Sequence, residues 1–185
     1  MAGACMSDTI TTLNAQDFSQ YNLLLAGLLI DSVNGGASVG FLPPLSQEVA
    51  LQYWGEVRAE IARGHKTVLI LKVDHQQLVG AVQLAYTDKP NARHRAEVQK
   101  LLVHSNFRRQ GYAQKLMLAA EETARQQGKT LLVLDTRQGD PSEKLYLKLD
   151  YQKAGQIPQY AESANGQLDT TVFFYKLMQV GYDNR

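Results

Sequence analysis

The sequence has a single cysteine, Cys5, in 185 residues. One cysteine makes no intrachain disulfide and no thiolate cluster for a metal, so a hydrophobic core must hold the chain, and a reducing, cytoplasmic setting is expected. Long hydrophobic runs are also missing. The longest leucine-rich run lies between Leu23 and Ile30, far below the roughly 20 apolar residues of a membrane-spanning helix; no membrane partner is expected. Ala2-Gly3-Ala4-Cys5 lacks the upstream apolar stretch of a lipoprotein signal. There is no charge excess either. Lys plus Arg is 19 and Asp plus Glu is 18, a formal net charge of +1. Bulk attraction to nucleic acid needs a basic surplus, so no nucleic-acid partner is expected, although a local phosphate site stays open. The four histidines, His65, His75, His94 and His104, lack metal-ligand spacing, so no metal is expected. There is no Gly-x-Ser-x-Gly for a serine hydrolase and no Walker loop.

What is present is a globular composition, 44% hydrophobic and 20% charged, in a length that suits one domain. We expect that domain over 7–178, with 1–6 and 179–185 as flexible termini, as a monomer or homodimer. Thr9 to Leu13 reads as a strand. A helix follows, capped by Asn14 or Asp17 and running to about Val33. Asn34 to Phe41 is glycine-rich and leads to Pro43-Pro44. Ser46 opens a second helix, which ends at Arg63 before Gly64 and carries Trp54 in its apolar stripe. Thr67 to Val73, Leu78 to Thr87 and Ala96 to Val103 read as strands, with a turn over Asp74 to Gln77. Tyr112 to Gln127 reads as a helix with Leu116, Ala119, Ala120, Thr123 and Ala124 inward. Leu131 to Leu134 is continuously apolar, as in a strand buried on both faces. Pro141 and Ser142 begin a short helix to Leu149. Tyr151 to Ile157 and Thr170 to Tyr175 read as closing strands, with a hairpin signal at Asn165-Gly166. The order β, α, α, β, β, β, α, β, α, β, β predicts a mixed α/β (α+β) fold. Its centre would be a twisted mixed sheet of about seven strands, flanked by about four helices.

The segment richest in chemistry is Leu101-Leu102-Val103-His104-Ser105-Asn106-Phe107-Arg108-Arg109-Gln110-Gly111-Tyr112-Ala113. A strand enters a basic loop, and a helix begins at once. The first N–H groups of a helix have no internal partner and lie at the positive end of its dipole, so a pyrophosphate suits them. Gly111 lets the backbone approach such a group, Ala113 is small, and Arg108 and Arg109 add charge. Read alone, the six residues from Arg108 to Ala113 also fit a solvated basic loop that merely turns.

Arg108-x-x-Gly111-x-Ala113, between a strand ending Leu101-x-Val103 and a helix, resembles the GNAT acetyltransferase superfamily. The apolar strand after it and Leu145-Tyr146-x-x-Leu149-Asp150-Tyr151 extend the resemblance, which covers about Thr9 to Leu177. It implies acetyl-CoA as cofactor, held by Leu101, Leu102, Val103, Arg108, Arg109, Gln110, Gly111, Tyr112, Ala113 and Ser142. A backbone N–H near Leu102 or Val103 would meet the acetyl oxygen. Tyr146 would be the general acid for the departing thiolate. A narrower similarity, to the tabtoxin-resistance group of GNAT enzymes, rests on four segments. These are Asn34 to Phe41, Ala96 to Leu101, Leu134-Asp135-Thr136 and Gly166-x-Leu168. It implies Glu97 and Asp135 as bases around the acceptor amine. The loop with Asn34, Gly35, Gly36, Ser38 and Phe41 would form one wall of the acceptor site. The Tyr160 to Leu168 connection, with Tyr160, would form the other.

The sequence departs from the superfamily pattern at Ser105, where proline is common, and at Gly139, where many members carry asparagine. At Asp150 a glycine is usual, so a left-handed backbone is expected. The function implied is direct transfer of acetyl to the amine of a small molecule, such as a toxin or a β-lactam amino acid. Protein or tRNA acetylation on the same fold, and a non-catalytic acyl-CoA-binding domain, are the alternatives.

Overall fold

The computed structural model describes residues 8–74 and 77–178. Cys5, His75 and the expected flexible termini, 1–6 and 179–185, lie outside the described residues. The elements are β1 (Asp8–Leu13), α1 (Phe18–Asn34), α2 (Gln47–Ala62), β2 (Lys66–Val73), β3 (Gln77–Ala85), β4 (Arg95–Val103), α3 (Tyr112–Gln126), β5 (Leu131–Arg137), α4 (Pro141–Lys148), β6 (Gln152–Glu162) and β7 (Leu168–Leu177). The seven strands form one sheet in the order β1-β2-β3-β4-β5-β7-β6. Only β4 and β5 pair in parallel.

Alternation along the strands builds two cores. Leu69, Leu71, Val82, Leu84, Ala96, Val98, Leu132, Leu134 and Phe174 bury one face of the sheet against Leu116, Met117, Ala120 and Ala124 of α3 and Tyr146 of α4. Val68, Ile70, Ala81 and Leu102 bury the other against Leu25, Leu28 and Leu29 of α1 and Trp54 and Val57 of α2. Burying a large apolar side chain contributes roughly 1.5–3 kcal/mol, and these two layers supply the stability that disulfides do not. Gly80 lies where space is shortest. A Cβ there would stand 2.9 Å from both the Leu102 carbonyl oxygen and Leu116 Cδ1.

Local signals explain the ends of the elements. Ser46 Oγ accepts from Val49 N–H and caps α2. Asp17 precedes α1 without capping it through its side chain. Asn14 makes the local bonds instead, accepting from Asp17 N–H and donating to the Asp17 carboxylate. Asp150 takes the left-handed conformation, φ 62°, as its glycine-like position requires.

Several expectations are corrected. β3 stops at Ala85, so Tyr86 and Thr87 leave the sheet. β6 and β7 are longer than expected, and Tyr160 therefore sits within β6 rather than in a connection. The tip is tight. Gly166, φ +77°, turns the chain, and Ser163 and Gln167 pair across it. β5 is not buried on both faces. Leu132 and Leu134 are buried, Leu131 and Val133 are half-buried, and Asp135 reaches solvent. The inward face of α3 is rotated, so that Glu121 is buried while Ala119 and Thr123 are half-buried. Lys176 donates to the Glu121 carboxylate at 2.7 Å, which meets the cost of burying that charge.

Two irregularities position the site. β4 and β5 pair only at Arg95–Leu131, Ala96–Leu132 and Glu97–Val133, after which they part. Farther along β4, Gln83 faces Gln99 but Ala81 faces Leu102, so Lys100 and Leu101 together oppose Val82. This is a β-bulge, with Lys100 at φ 49°. A bulge bends its strand and re-aims a side chain.

Candidate active site

The loop before α3 is built to receive an anion. Arg109 and Gly111 are both left-handed, φ 62° and 83°. Successive N–H groups in such a turn converge into an anion-binding concavity. Among the described residues, the N–H groups of Arg109, Gln110, Gly111, Tyr112 and Ala113 have no backbone partner, and no side chain caps α3. A Cβ at Gly111 would meet no protein atom within 4 Å. Glycine is thus needed there for the backbone angle and for space toward a ligand, not for packing. Of the side chains expected at this site, Tyr112 is buried in the core. Leu102 is also buried, and Leu101 and Val103 pack on the core. These four can serve only through their backbones.

Arg108 is engaged within the protein. Its Nε donates to the Val103 carbonyl at 3.1 Å, and its guanidinium stands 4.0 Å from Asp31. Asp31 accepts from both N–H and Oγ of Ser105, at 2.8 and 2.7 Å. Partial burial works against charge on Asp31. These hydrogen bonds, with His104 and Arg108, nevertheless hold its carboxyl below the usual range. Asp31 therefore fixes the loop to the end of α1 before any ligand arrives. Gly35 packs beside the Arg108 guanidinium, so this end of the glycine-rich loop borders the anion site.

The parted strands form a cleft. Glu97 and Asp135 face the α1–α2 side of the sheet, because Ala96, Val98, Leu132 and Leu134 face the other. Although Asp135 reaches solvent, the surrounding protein raises its pKa. The Glu97 carboxylate adds to this, and Lys100 opposes it. On the side away from the parting, Glu97 also borders a separate hollow of about 210 Å³ at the paired start of β4, lined by Ala85, Tyr86, Thr87, Arg95, Ala96 and Val133. Tyr146 stands on α4, with its ring edge-on to Phe174 and tilted on Tyr151. Burial, then the charges of Asp135 and Asp140, push its hydroxyl far above the usual range.

The remaining expected residues divide. Ser142 pairs with Thr136 through their hydroxyls at 2.7 Å. Asn34 accepts from Leu45 N–H, which ties the end of α1 to the segment before α2. Phe41 packs edge-on against Tyr53. Gly36, Ser38 and Phe41 line a small hollow beside Arg137, with room for about 10 Å³. Tyr160 is exposed and lies edge-on to Phe173, whose backbone pairs with Asp135.

Sequence reasoning missed Arg137 and a polar cluster. Arg137 donates to Gly36 O, Ser163 Oγ and Asp140 Oδ1, joining three segments at the end of β5. The cluster centres on Gln83, which is fully buried. Gln83 Oε1 accepts from Tyr53 Oη and Lys66 Nζ, and Lys66 also donates to Gln99. Lys100 Nζ lies 5.7 Å from the Tyr53 ring centre. The polar residues on the inner faces of β2 and β3 were the available signal. The bulge hid Lys100 from any period-two reading.

A sequence model described as the acetyltransferase (GNAT) family matches residues 39–151, more than half of the chain. The chain belongs to the GNAT acetyltransferase family. Solved structures agree on the fold. A protein described as an acetyltransferase from Acinetobacter baylyi ADP1 superposes with a TM-score of 0.81 at 16% identity, over 95% of each chain. A ribosomal-protein-alanine N-acetyltransferase from Brucella melitensis gives 0.74 at 21% identity, over 92% of this chain and 99% of that one. A protein described as a phosphinothricin N-acetyltransferase gives 0.75 at 17% identity, over 94% and 99%.

Acetyl-CoA is the cofactor of the GNAT family, and the residues here fit it. The unpartnered N–H groups from Arg109 to Ala113 suit its pyrophosphate. The edge of β4 beyond Glu97, left without a strand partner, suits its extended amide-bearing arm. Bound there, acetyl-CoA supplies an activated acetyl thioester.

Proposed function

We propose that this GNAT protein is an N-acetyltransferase that transfers acetyl directly to the amine of a small molecule. The observation that carries the reading is the placement of Glu97 and Asp135 on one face of the parted strands, with Tyr146 rising from the helical layer opposite. An acceptor ammonium entering from the α1–α2 side is held by two carboxylates. Asp135, whose pKa is raised, is the better of the two for taking a proton near neutral pH. A backbone N–H of Leu102 or Val103 serves the acetyl oxygen. The Tyr146 hydroxyl, kept protonated by burial, donates toward the leaving sulfur.

The size of the acceptor follows from closure of the site. Arg137 draws the α1–α2 loop, at Gly36, and the β6–β7 hairpin, at Ser163, together across one end. A small amine suits a site closed at that end better than a folded protein or a tRNA, and the net charge of +1 offers tRNA no attraction. The segment similarities around Asn34, Glu97, Asp135 and Gly166 favour a toxin-detoxifying role like that of the tabtoxin resistance protein. Cytoplasmic action would follow. The test is an amine panel scored by free-thiol release from acetyl-CoA, including a β-lactam amino acid, phosphinothricin, polyamines and N-terminal peptides. We expect release with small amines and none with peptides; the reverse pattern would overturn the small-acceptor reading.

A further inference from the structure

The acceptor side of the sheet carries two cations that the transfer chemistry does not use. Lys66 lies on β2 and Lys100 on the bulge of β4, and both are half-buried. Lys66 feels the charge of Glu60 and then of Glu97, and Lys100 feels Lys66 against it and Asp135 and Glu97 in its favour. Yet Lys66, Lys100, Glu97 and Asp135 take part in no ion pair among the described residues. A structural cluster of two lysines and two carboxylates would be expected to close into pairs, because unpaired buried charge is costly.

The lysines are held apart instead. Lys66 Nζ spends two of its three donors on the amide oxygens of Gln83 and Gln99, at 3.1 and 3.0 Å. The Lys100 ammonium makes no hydrogen bond among the described residues. Its ammonium stands over the Tyr53 ring and 3.7 Å from where a Gly40 Cβ would be. Lys100 reaches this place only through a left-handed backbone, φ 49°. Such strain in a non-glycine residue is costly and concentrates at ligand sites. The orientation of Gln83 is fixed, since its Oε1 accepts two donors, and its buried Nε2 is left without an acceptor. Spare donors on Lys66, Lys100 and Gln83 thus gather beside two spare carboxylates.

We propose that Lys100 and Lys66 form an anion subsite for the acceptor's own carboxylate, so that the substrate is a zwitterionic amino acid whose ammonium meets Glu97 and Asp135. This rests on the small-amine reading above and narrows it to one chemical class. Opposite charges at the two ends of one small molecule are matched by opposite charges on neighbouring strands. An ester or a decarboxylated amine would leave the lysines desolvated and unmatched.

The experiment compares free amino acids, their methyl esters and the corresponding decarboxylated amines as acceptors, in wild type and in Lys100→Met and Lys66→Met. We expect wild type to prefer the free acid over its ester by about tenfold or more in kcat/KM, because a site built for a polar group rejects the analogue lacking it. In Lys100→Met the acid-to-ester ratio should fall to within about twofold, through KM more than kcat. Equal use of acid and ester by wild type overturns the subsite while leaving the transferase reading standing. A folded Lys100→Met that keeps the full preference overturns it as well. Should one variant fail to fold, the wild-type ratio and the other variant still decide. Thiol release with no member of the panel overturns both readings.

Discussion

Glu97 and Asp135 share one face of the sheet on parallel strands whose last pairing, Glu97 with Val133, falls just short of Asp135. Where the strands stay paired, a ligand cannot enter; where they part, two carboxylates look into the gap. Their separation along the strands leaves each with solvent and with the other's charge. The protein packed around Asp135 and the charge of Glu97 both make its ionisation harder, although its side chain reaches solvent. A carboxyl whose folded pKa is raised stabilises the fold while protonated, and that contribution is lost as pH rises through the folded value. At neutral pH the ionised Asp135 is therefore a liability. Asp135→Asn should raise the melting temperature at pH about 7, and the advantage should vanish as pH falls below roughly 4, where the unfolded chain is protonated too. The same variant should lose turnover if Asp135 is the base. Glu97→Gln, by removing the repulsion, should move the acidic limb of kcat/KM to lower pH. A limb that stays in place in Glu97→Gln would assign that limb to another group.

Tyr146 combines a ring that belongs to the core with a hydroxyl that no protein group engages among the described residues. Its raised pKa keeps it a donor throughout the working range. Tyr146→Phe preserves the packing against Tyr151 and Phe174 and removes only the donor. Turnover should fall by about a hundredfold, the lower end of general-acid effects. The dissociation constant for acetyl-CoA, measured by calorimetry, should stay within about twofold. Equal turnover in the variant would remove Tyr146 from the chemistry.

Much of this arrangement can be read from residue order. The strand–loop–helix run around Gly111 offers an anion site, and the order of elements around it, rather than the glycine and arginines alone, sets this above a loop that merely turns. The alternation of Ala96, Glu97 and Val98 places Glu97 on the face away from α3, as found. What cannot be read depends on long-range register. The bulge at Lys100 breaks the period of two, so Gln99 and Lys100 both serve the α2 side although they are neighbours. The parting of β4 from β5 has no local signal, because Leu131 to Leu134 is as apolar as a strand paired along its whole length. For the same reason Asp135 reads as a strand end, whereas β5 continues to Arg137.

Arg137 is where that continuation matters. Its guanidinium donates to Gly36 O at 3.1 Å, Ser163 Oγ at 2.9 Å and Asp140 Oδ1 at 2.9 Å, and Asp169 stands 4.0 Å away. It touches none of the groups proposed to react. Arg137→Met keeps much of the stem and removes every one of these bonds. Asp140 then loses its guanidinium partner and Asp169 its nearby cation, though Asp169 keeps the Ser163 hydroxyl, so stability should fall by about 1–3 kcal/mol, read by urea unfolding. The α1–α2 loop and the β6–β7 hairpin should no longer meet, and each acceptor must order them on binding. That ordering costs around 1 kcal/mol, which sets the expected rise in acceptor KM at about tenfold or less, with kcat changed far less. The dissociation constant for acetyl-CoA should hold, because the Arg109–Ala113 loop is fixed by Asp31 and Ser105 rather than by Arg137. A fall in kcat with KM unchanged would instead place Arg137 among the groups that act on the reacting atoms.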